Sequence, residues 1–155
     1  MSRELGMFTV ADSSEKLFVD KLNQIFYGAI TVGASDIHFE DAENGIRIRY
    51  RCDGQLEEVD VLDHRLKMQI DQKIRLKASI PITERNLPQD GKIFFIYDGR
   101  RVDVRINICP TIYGQSIVCR LLDSDDSNRD INNIQMSSSV RETLLNILNS
   151  EHLLS

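Results

Sequence analysis

The chain of 155 residues contains no long apolar run, and this absence argues against a helical membrane protein. A membrane-spanning helix needs about 20 consecutive apolar residues, and no stretch of the sequence approaches that length. The N-terminus carries Arg3 and Glu4 in place of the apolar core of a secretory signal peptide. The sequence therefore predicts a cytoplasmic protein.

Paired cysteines are missing as well. The three cysteines, Cys52, Cys109 and Cys119, are an odd number, never form a Cys-x-x-Cys motif and lie in strand-like runs. This pattern argues against a zinc site and against a disulfide framework. We therefore expect reduced, half-buried thiols that pack as small apolar groups, and no bound metal.

A phosphate-binding loop is also absent. Such a loop reads Gly-x-x-x-x-Gly-Lys-Ser/Thr, and the chain does contain Gly91-Lys92. Asn86, however, stands in place of the first glycine, and Ile93 replaces the hydroxyl residue that holds magnesium. No nucleophile with a neighbouring base or oxyanion site is evident elsewhere. We expect no ATP hydrolysis by this chain alone.

The charge is acidic overall but uneven along the chain. The net charge of -5 argues against non-specific binding of nucleic acid, which depends on neutralising phosphates. Residues 45–105 nevertheless hold 13 basic against 10 acidic side chains, whereas the rest of the chain holds 6 against 14. The middle of the chain can therefore present a surface that attracts anions.

Two amphipathic helices are predicted in the first half of the chain. The first begins after Asp12, which has the spacing of a capping box to Glu15, and ends at about Gly33. The second runs from about Asp63 to Ala78, with apolar residues at every fourth position and basic residues on its other faces.

Strand hairpins are predicted around the second helix, because the apolar residues there alternate with a period of two. In the first hairpin, matching the apolar sets pairs Phe39 with Ile46 and places Asp36 opposite Arg49 on the polar face. His38 lies on that face between acidic neighbours, a spacing that suggests a metal ligand. Arginines on the paired strand would repel a cation, so we interpret His38 as part of a structural polar network.

The last hairpins bring three cations together. Asp98-Gly99 is a two-residue turn signal, and the register that it sets places Lys92 opposite Arg105. The following turn is expected to place Arg120 opposite Asp103 and next to Arg105. Read from the residues alone, this is a solvated sheet face on which Arg120 pairs with an acid.

Six short blocks occur in an order that closely resembles the secretion ATPases of type II secretion and type IV pilus assembly. The blocks are Ala34-Ser35-Asp36-Ile37-His38-Phe39-Glu40, Arg49-Tyr50-Arg51-Cys52-Asp53-Gly54, Leu87-Pro88-Gln89-Asp90-Gly91, Val102-Asp103-Val104-Arg105, Pro110-Thr111-Ile112-Tyr113-Gly114 and Arg120-Leu121-Leu122-Asp123. In that family they form a PAS-like second N-terminal domain that precedes a RecA-like motor domain. The resemblance implies an α+β fold, a PAS-like antiparallel sheet with packed helices.

The resemblance also implies a division of the chain into three parts. Residues 1–12 are expected to be a flexible leader, and residues 13–123 the PAS-like domain. Residues 124–155 are expected to be a linker and a first helix, capped by Ser139 and Glu142, that lead into the absent motor domain. The phosphate loop would follow beyond this chain, which would then be an accessory fragment.

The function that the resemblance implies belongs to the intact protein. It is a hexameric bacterial ATPase, peripheral at the inner membrane, that uses ATP and Mg²⁺ and works with the platform proteins of a pilus or secretion system. Arginines of this domain reach the nucleotide held by the motor domain, and they correspond to Arg105 and Arg120. Lys92 and Arg85 are further candidates, although Lys92 replaces a common arginine and lacks its bidentate fork.

Two alternatives to this function stay open at the level of sequence. A PAS-like ligand-binding or sensory module would need an apolar pocket inside the sheet. A protein-docking module would bind its partners without using the arginines. In both cases the domain would have no role at the nucleotide.

Overall fold

The computed structural model of the chain describes residues 8–123. Two helices and six strands form in this part, and a short 3₁₀ turn precedes each helix. In chain order they are α1 (Lys16–Thr31), β1 (Asp36–Asp41), β2 (Gly45–Cys52), β3 (Gln55–Asp63), α2 (Lys67–Lys77), β4 (Gln89–Tyr97), β5 (Arg100–Thr111) and β6 (Gly114–Asp123).

All six strands belong to one antiparallel sheet in the order β3, β2, β1, β6, β5, β4. Strands β1 to β3 form one meander and strands β4 to β6 a second, and the pairing of β1 with β6 joins them at the centre. Helix α2 lies in the connection between the meanders. A six-stranded antiparallel sheet with packed helices confirms the α+β fold class.

Both helices pack on one face of the sheet, which we call the inner face and which carries Phe39. The ring of Phe26 in α1 lies 6.0 Å from that of Phe39 in β1 and 6.1 Å from that of Phe95 in β4. Ile70 of α2 is buried in the same hydrophobic core. Side chains alternate along each strand, so the opposite, outer face receives the polar set.

The register of β1 and β2 differs from the predicted register by two residues. Phe39 pairs with Ile48, whereas the apolar pattern predicted Ile46. The turn contains only Glu43 and Asn44, because the backbone N–H of Ala42 donates to the carbonyl of Gly45 at 2.7 Å. A shift of two residues keeps every side chain on its predicted face.

The second meander has the predicted hairpin between β4 and β5 but a different pairing between β5 and β6. Lys92 lies opposite Arg105, as predicted. Arg120 also lies opposite Arg105, so the prediction that it faces Asp103 is wrong. The tip at Thr111–Gly114 is a two-residue turn at Ile112 and Tyr113, one residue later than the predicted register requires, so β6 is shifted by two positions along β5.

Gly114 closes this tip in a conformation that suits glycine. Its φ is 141°, and a Cβ built there would overlap the carboxylate of Asp41. The same carboxylate accepts a hydrogen bond of 2.8 Å from the backbone N–H of Gln115. The tip of one meander is therefore fastened to the end of the other at a place with no room for a side chain.

Gly114→Ala is expected to lower the free energy of unfolding by about 1–3 kcal/mol, because the new methyl group displaces Asp41 and breaks the bond to Gln115. Gly99→Ala is the matched control: Gly99 has a φ of 80° but nothing within 4 Å of a built Cβ, so it reports backbone strain alone. Urea unfolding measures both variants. An equal loss in the two would contradict the steric argument.

A buried arginine organises the loop between α2 and β4. Arg75 was expected among the basic residues on the outer faces of the helix, yet it is 0% exposed. Its Nε donates to both carboxylate oxygens of Asp71, at 3.0 and 3.1 Å. Its Nη1 donates to the carbonyls of Pro81 and Glu84 at 2.9 Å each, and its Nη2 to Gln115 at 3.3 Å. The loop is ordered, as the sequence predicted, because this guanidinium binds its carbonyls.

The start of the described chain packs against α1. Phe8 is buried, and it exchanges two backbone to side-chain hydrogen bonds with Asn23, at 3.0 and 2.9 Å. Residues 1–7 of the predicted leader, the linker and the predicted helix at 139–149 lie outside the described residues.

Candidate functional site

A row of three cations crosses the outer face of the second meander. Lys92 in β4 is the cross-strand neighbour of Arg105 in β5, and Arg105 is the neighbour of Arg120 in β6. Adjacent strands lie about 4.8 Å apart, so the three side chains start from backbone positions spanning roughly 10 Å. We call Lys92, Arg105 and Arg120 the cationic row.

The cationic row is unfavourable for the folded protein by itself. Like charges directly opposite one another on a sheet destabilise it. Lys92 and Arg105 are exposed, and neither side chain makes an ion pair or a hydrogen bond within residues 8–123. Repulsion of this kind disappears when an anion binds between the cations, and guanidinium groups match the oxygens of phosphate. The row is thus equipped to contact an anionic group.

An acid lies next to the end of the row that is nearest the centre of the sheet. Asp36 of β1 lies opposite Arg120 on one side and opposite Arg51 of β2 on the other, where the sequence predicted Arg49. The Nε atoms of both arginines approach its carboxylate, Arg120 at 3.1 Å and Arg51 at 3.2 Å. The Asp36 side chain is only 5% exposed, whereas that of Arg120 is 63% exposed. The acid is therefore buried beneath the arginine that it binds.

An aromatic ring lies next to Lys92 on the outer face. Phe94 follows Lys92 by two residues in β4 and is half exposed. The guanidinium of Arg101 stacks on this ring, 4.1 Å from its centroid, and its Nε donates to Asp103 at 2.9 Å. Arg101 already has an acid and a ring as partners, which distinguishes it from Lys92 and Arg105.

Arg85, the fourth candidate from the sequence, is not brought to the row. Its guanidinium donates to Asp71 of α2 and contacts the Sδ of Met68 at 3.2 Å. These partners lie on the helix side of the sheet, so Arg85 belongs to the network around Arg75. The structure brings together the other three candidates, Lys92, Arg105 and Arg120.

His38 occupies the neighbouring position along β1 on the outer face. It lies opposite Arg49, whose Nη2 donates to Glu40 at 2.7 Å, and its Nδ1 is 3.9 Å from the same carboxylate. Burial is the main cause that lowers the pKa of His38 below its ordinary value, and Arg51 and Arg49 act in the same direction. Asp36 and Glu40 act against it. On the β6 side the imidazole faces the apolar Val118.

The folded protein is expected to lose stability as the pH falls from about 7.5 to about 5.5, in part through His38. A lowered folded-state pKa means that the unfolded chain binds the proton more readily, so this loss begins near the unfolded value and continues toward the folded one. His38→Gln should reduce the pH dependence of the unfolding free energy, measured by urea titration at each pH. His64→Gln, which removes an exposed imidazole, is the control, and equal pH dependence in the two variants would contradict the prediction.

Two features of the structure, one at the site and one in the network around Arg75, were not found from the sequence. The alternation of β1 places Asp36 on the outer face, but its partner Arg120 is 84 residues away and the pairing of β1 with β6 leaves no local signal. Burial of Arg75 was missed because a helical pattern reveals apolar faces and not the carbonyls of a later loop.

Two other kinds of site are absent from the described part of the chain. Residues 8–123 contain no cluster of three or more histidine, cysteine or acidic side chains arranged to hold a metal. They also contain no helix long and apolar enough to cross a membrane.

The chain is also similar in sequence to known proteins. A family model described as type II/IV secretion system protein matches residues 11–155. The chain is 34% identical over 131 residues to "Type II secretion system ATPase E" of Vibrio cholerae, covering 84% of the chain and 26% of that protein.

Similarity extends to proteins of pilus assembly. The chain is 40% identical over 114 residues to "Type IV pilus assembly ATPase PilB" of Myxococcus xanthus, which covers 73% of the chain and 20% of that protein. For the protein of that name in Pseudomonas aeruginosa the identity is 34% over 136 residues, with 87% and 24% covered. The chain thus spans about a quarter of the length of these relatives.

Proposed function

The chain belongs to the type II/IV secretion system protein family, and on that premise we propose that it is an accessory, PAS-like domain that brings arginines to a nucleotide held by a motor domain. Arg105 and Arg120 are the proposed contacts, and Lys92 adds positive charge beside them. The relatives compared above carry the names of ATPases of type II secretion and type IV pilus assembly. The proposed role is consistent with those names.

One observation carries the proposal. Lys92, Arg105 and Arg120 are consecutive cross-strand neighbours, and the side chains of the first two make no ion pair among the described residues. A solvated sheet face usually sets acids opposite bases, as Glu58 lies opposite Arg49 elsewhere on this face, where it also pairs with Arg47 at 3.1 Å. Three adjacent cations are therefore better explained by a bound anion than by the stability of the sheet.

The rest of the proposal concerns the intact protein. We assign ATP and Mg²⁺ to a motor domain outside this chain, and we propose that six copies assemble into a ring at the inner-membrane platform of a pilus or secretion system. Cytoplasmic location follows from that placement. Within this scheme the arginines neutralise charge on the phosphates, and the bond-breaking groups belong to the motor domain.

The experiment that tests the proposal compares ATP turnover by the intact protein with arginine and with alanine at positions 105 and 120. Turnover that falls in both variants while the hexamer still assembles supports the proposed contact. Unchanged turnover would contradict it and would favour a ligand-binding or docking module.

A further inference from the structure

Asp36 is the only acid on β1, β4, β5 or β6 that binds a member of the cationic row within the described residues. The geometry of this contact is specific. The carboxylate uses one oxygen for Arg120 and the other for Arg51, and in each case the partner atom is Nε. Its side chain is 95% removed from solvent, so the two arginines are its main compensation for burial.

Binding through Nε has a consequence for Arg120. A guanidinium has five N–H donors, one on Nε and four on the two terminal nitrogens. A carboxylate on Nε fixes the plane of the group, and no acceptor among the described residues binds the terminal nitrogens, which carry the end-on fork. The Arg120 side chain is 63% exposed, so this fork is available to a ligand on the outer face.

Arg51 completes the arrangement in a different way. Its Nε binds Asp36 at 3.2 Å, and its Nη1 donates to the carbonyl of Gly54 at 3.0 Å. Arg51 is therefore held at both ends of its guanidinium within its own hairpin. It balances the charge of the acid, and this leaves the Arg120 fork free for another anion.

We infer that Asp36 is a positioning residue, which holds Arg120 by Nε so that its terminal nitrogens face a phosphate group. The inference rests on the proposed function, since it takes Arg120 as an anion contact. It adds a named acid on the central strand that orients this contact from beneath. An acid next to an anion site is electrostatically unfavourable, so orientation is the benefit that explains its presence.

The first measurement examines the orientation without any ligand. In the NMR spectrum of the 155-residue chain, the Arg120 Nε–Hε signal should be shifted by its hydrogen bond and protected from exchange with water. Asp36→Asn should weaken both effects, because the amide is uncharged and offers a single oxygen for which the two guanidiniums compete. Glu58→Gln is the matched control: it removes the same kind of Nε contact, from Arg47, on the same face outside the row.

The second measurement titrates inorganic tripolyphosphate into the same proteins at low salt. Asp36→Asn should bind it about tenfold more weakly than the wild-type chain, the size of one hydrogen bond to a charged group. Simple electrostatics predicts the opposite sign, because the variant has lost a negative charge beside the site. Glu58→Gln should bind as the wild-type chain does, and backbone amide spectra should show that both variants remain folded.

The outcomes separate this inference from the function on which it rests. An unprotected Arg120 Nε–Hε, or binding that is equal or tighter in Asp36→Asn, would overturn the positioning role. A protected Nε–Hε in a wild-type chain that does not bind tripolyphosphate would overturn the anion contact that both proposals share. Loss of protection together with weaker binding supports both.

Discussion

Alanine at position 120 is expected to slow ATP turnover by the intact protein roughly 10³-fold, the lower end of the range for an arginine that reaches a transferring phosphoryl group. The reason is electrostatic. In the proposed contact, a guanidinium that is already oriented neutralises charge on the phosphoryl oxygens, and no reorganisation is needed when the bond breaks. Alanine at position 105 should act in the same direction. Steady-state phosphate release measures both effects.

Two further variants make this result specific. Arg120→Lys keeps the charge but loses the fork, so it should recover only part of the lost rate. Arg47→Ala removes an arginine of the same face that is paired with Glu58, and it should turn over at close to the wild-type rate. Assembly of the proposed hexamer is checked for each variant by its mass in solution. A rate loss in Arg47→Ala as large as that in Arg120→Ala would refute a nucleotide contact.

Arg75→Met is expected to lower the free energy of unfolding by about 3–5 kcal/mol, the usual cost of removing one partner from a buried ion pair. Methionine preserves much of the volume, so the loss is mainly polar. The variant leaves Asp71 with one fewer counter-charge and leaves the carbonyls of Pro81 and Glu84 without their donor. Urea unfolding measures the loss, and limited proteolysis should show faster cleavage between residues 79 and 88.

The control for this prediction is an exposed arginine pair. Arg47→Ala breaks a half-exposed bridge to Glu58 and should cost about 1 kcal/mol or less. The double variant Arg75→Met with Asp71→Leu should be more stable than Arg75→Met alone, because it removes the buried acid that would otherwise keep only Arg85 as a counter-charge. A cost for Arg75→Met as small as that for Arg47→Ala would show that the buried network is not what holds the loop.

The side chains that share the outer face could be predicted, because the alternation of side chains along a strand does not depend on its register. Lys92, Arg105 and Arg120 were predicted to share a face, and they do, although the pairing of Arg120 was wrong by two residues. Errors of two residues preserve the face and change only the partner. The helices were predictable for a similar reason, since the apolar faces of α1 and α2 recur at the helical period.

The partners that depend on distant pairing were not predictable. Arg120 was expected to bind Asp103 in the adjacent strand, whereas it binds Asp36 across a contact between the two meanders. Local turn chemistry specifies hairpins, but nothing local specifies which strands of two meanders meet. The burial of Arg75 was not predictable for a similar physical reason. Its acceptors lie in a later loop and in strand β6, 40 residues along the chain.

The central pairing of β1 with β6 has a consequence for how the site comes into being. Each meander can form from local contacts. The pairing of β1 with β6, which we call the seam, closes a loop of some 80 residues and therefore carries a large entropic cost. The bond from Arg120 to Asp36 crosses this seam. A partly folded chain with two formed meanders would thus carry the three cations without the acid beneath them. Arg120 is oriented only in the completed fold. Loosening the seam would therefore remove this orientation while leaving most of the secondary structure in place.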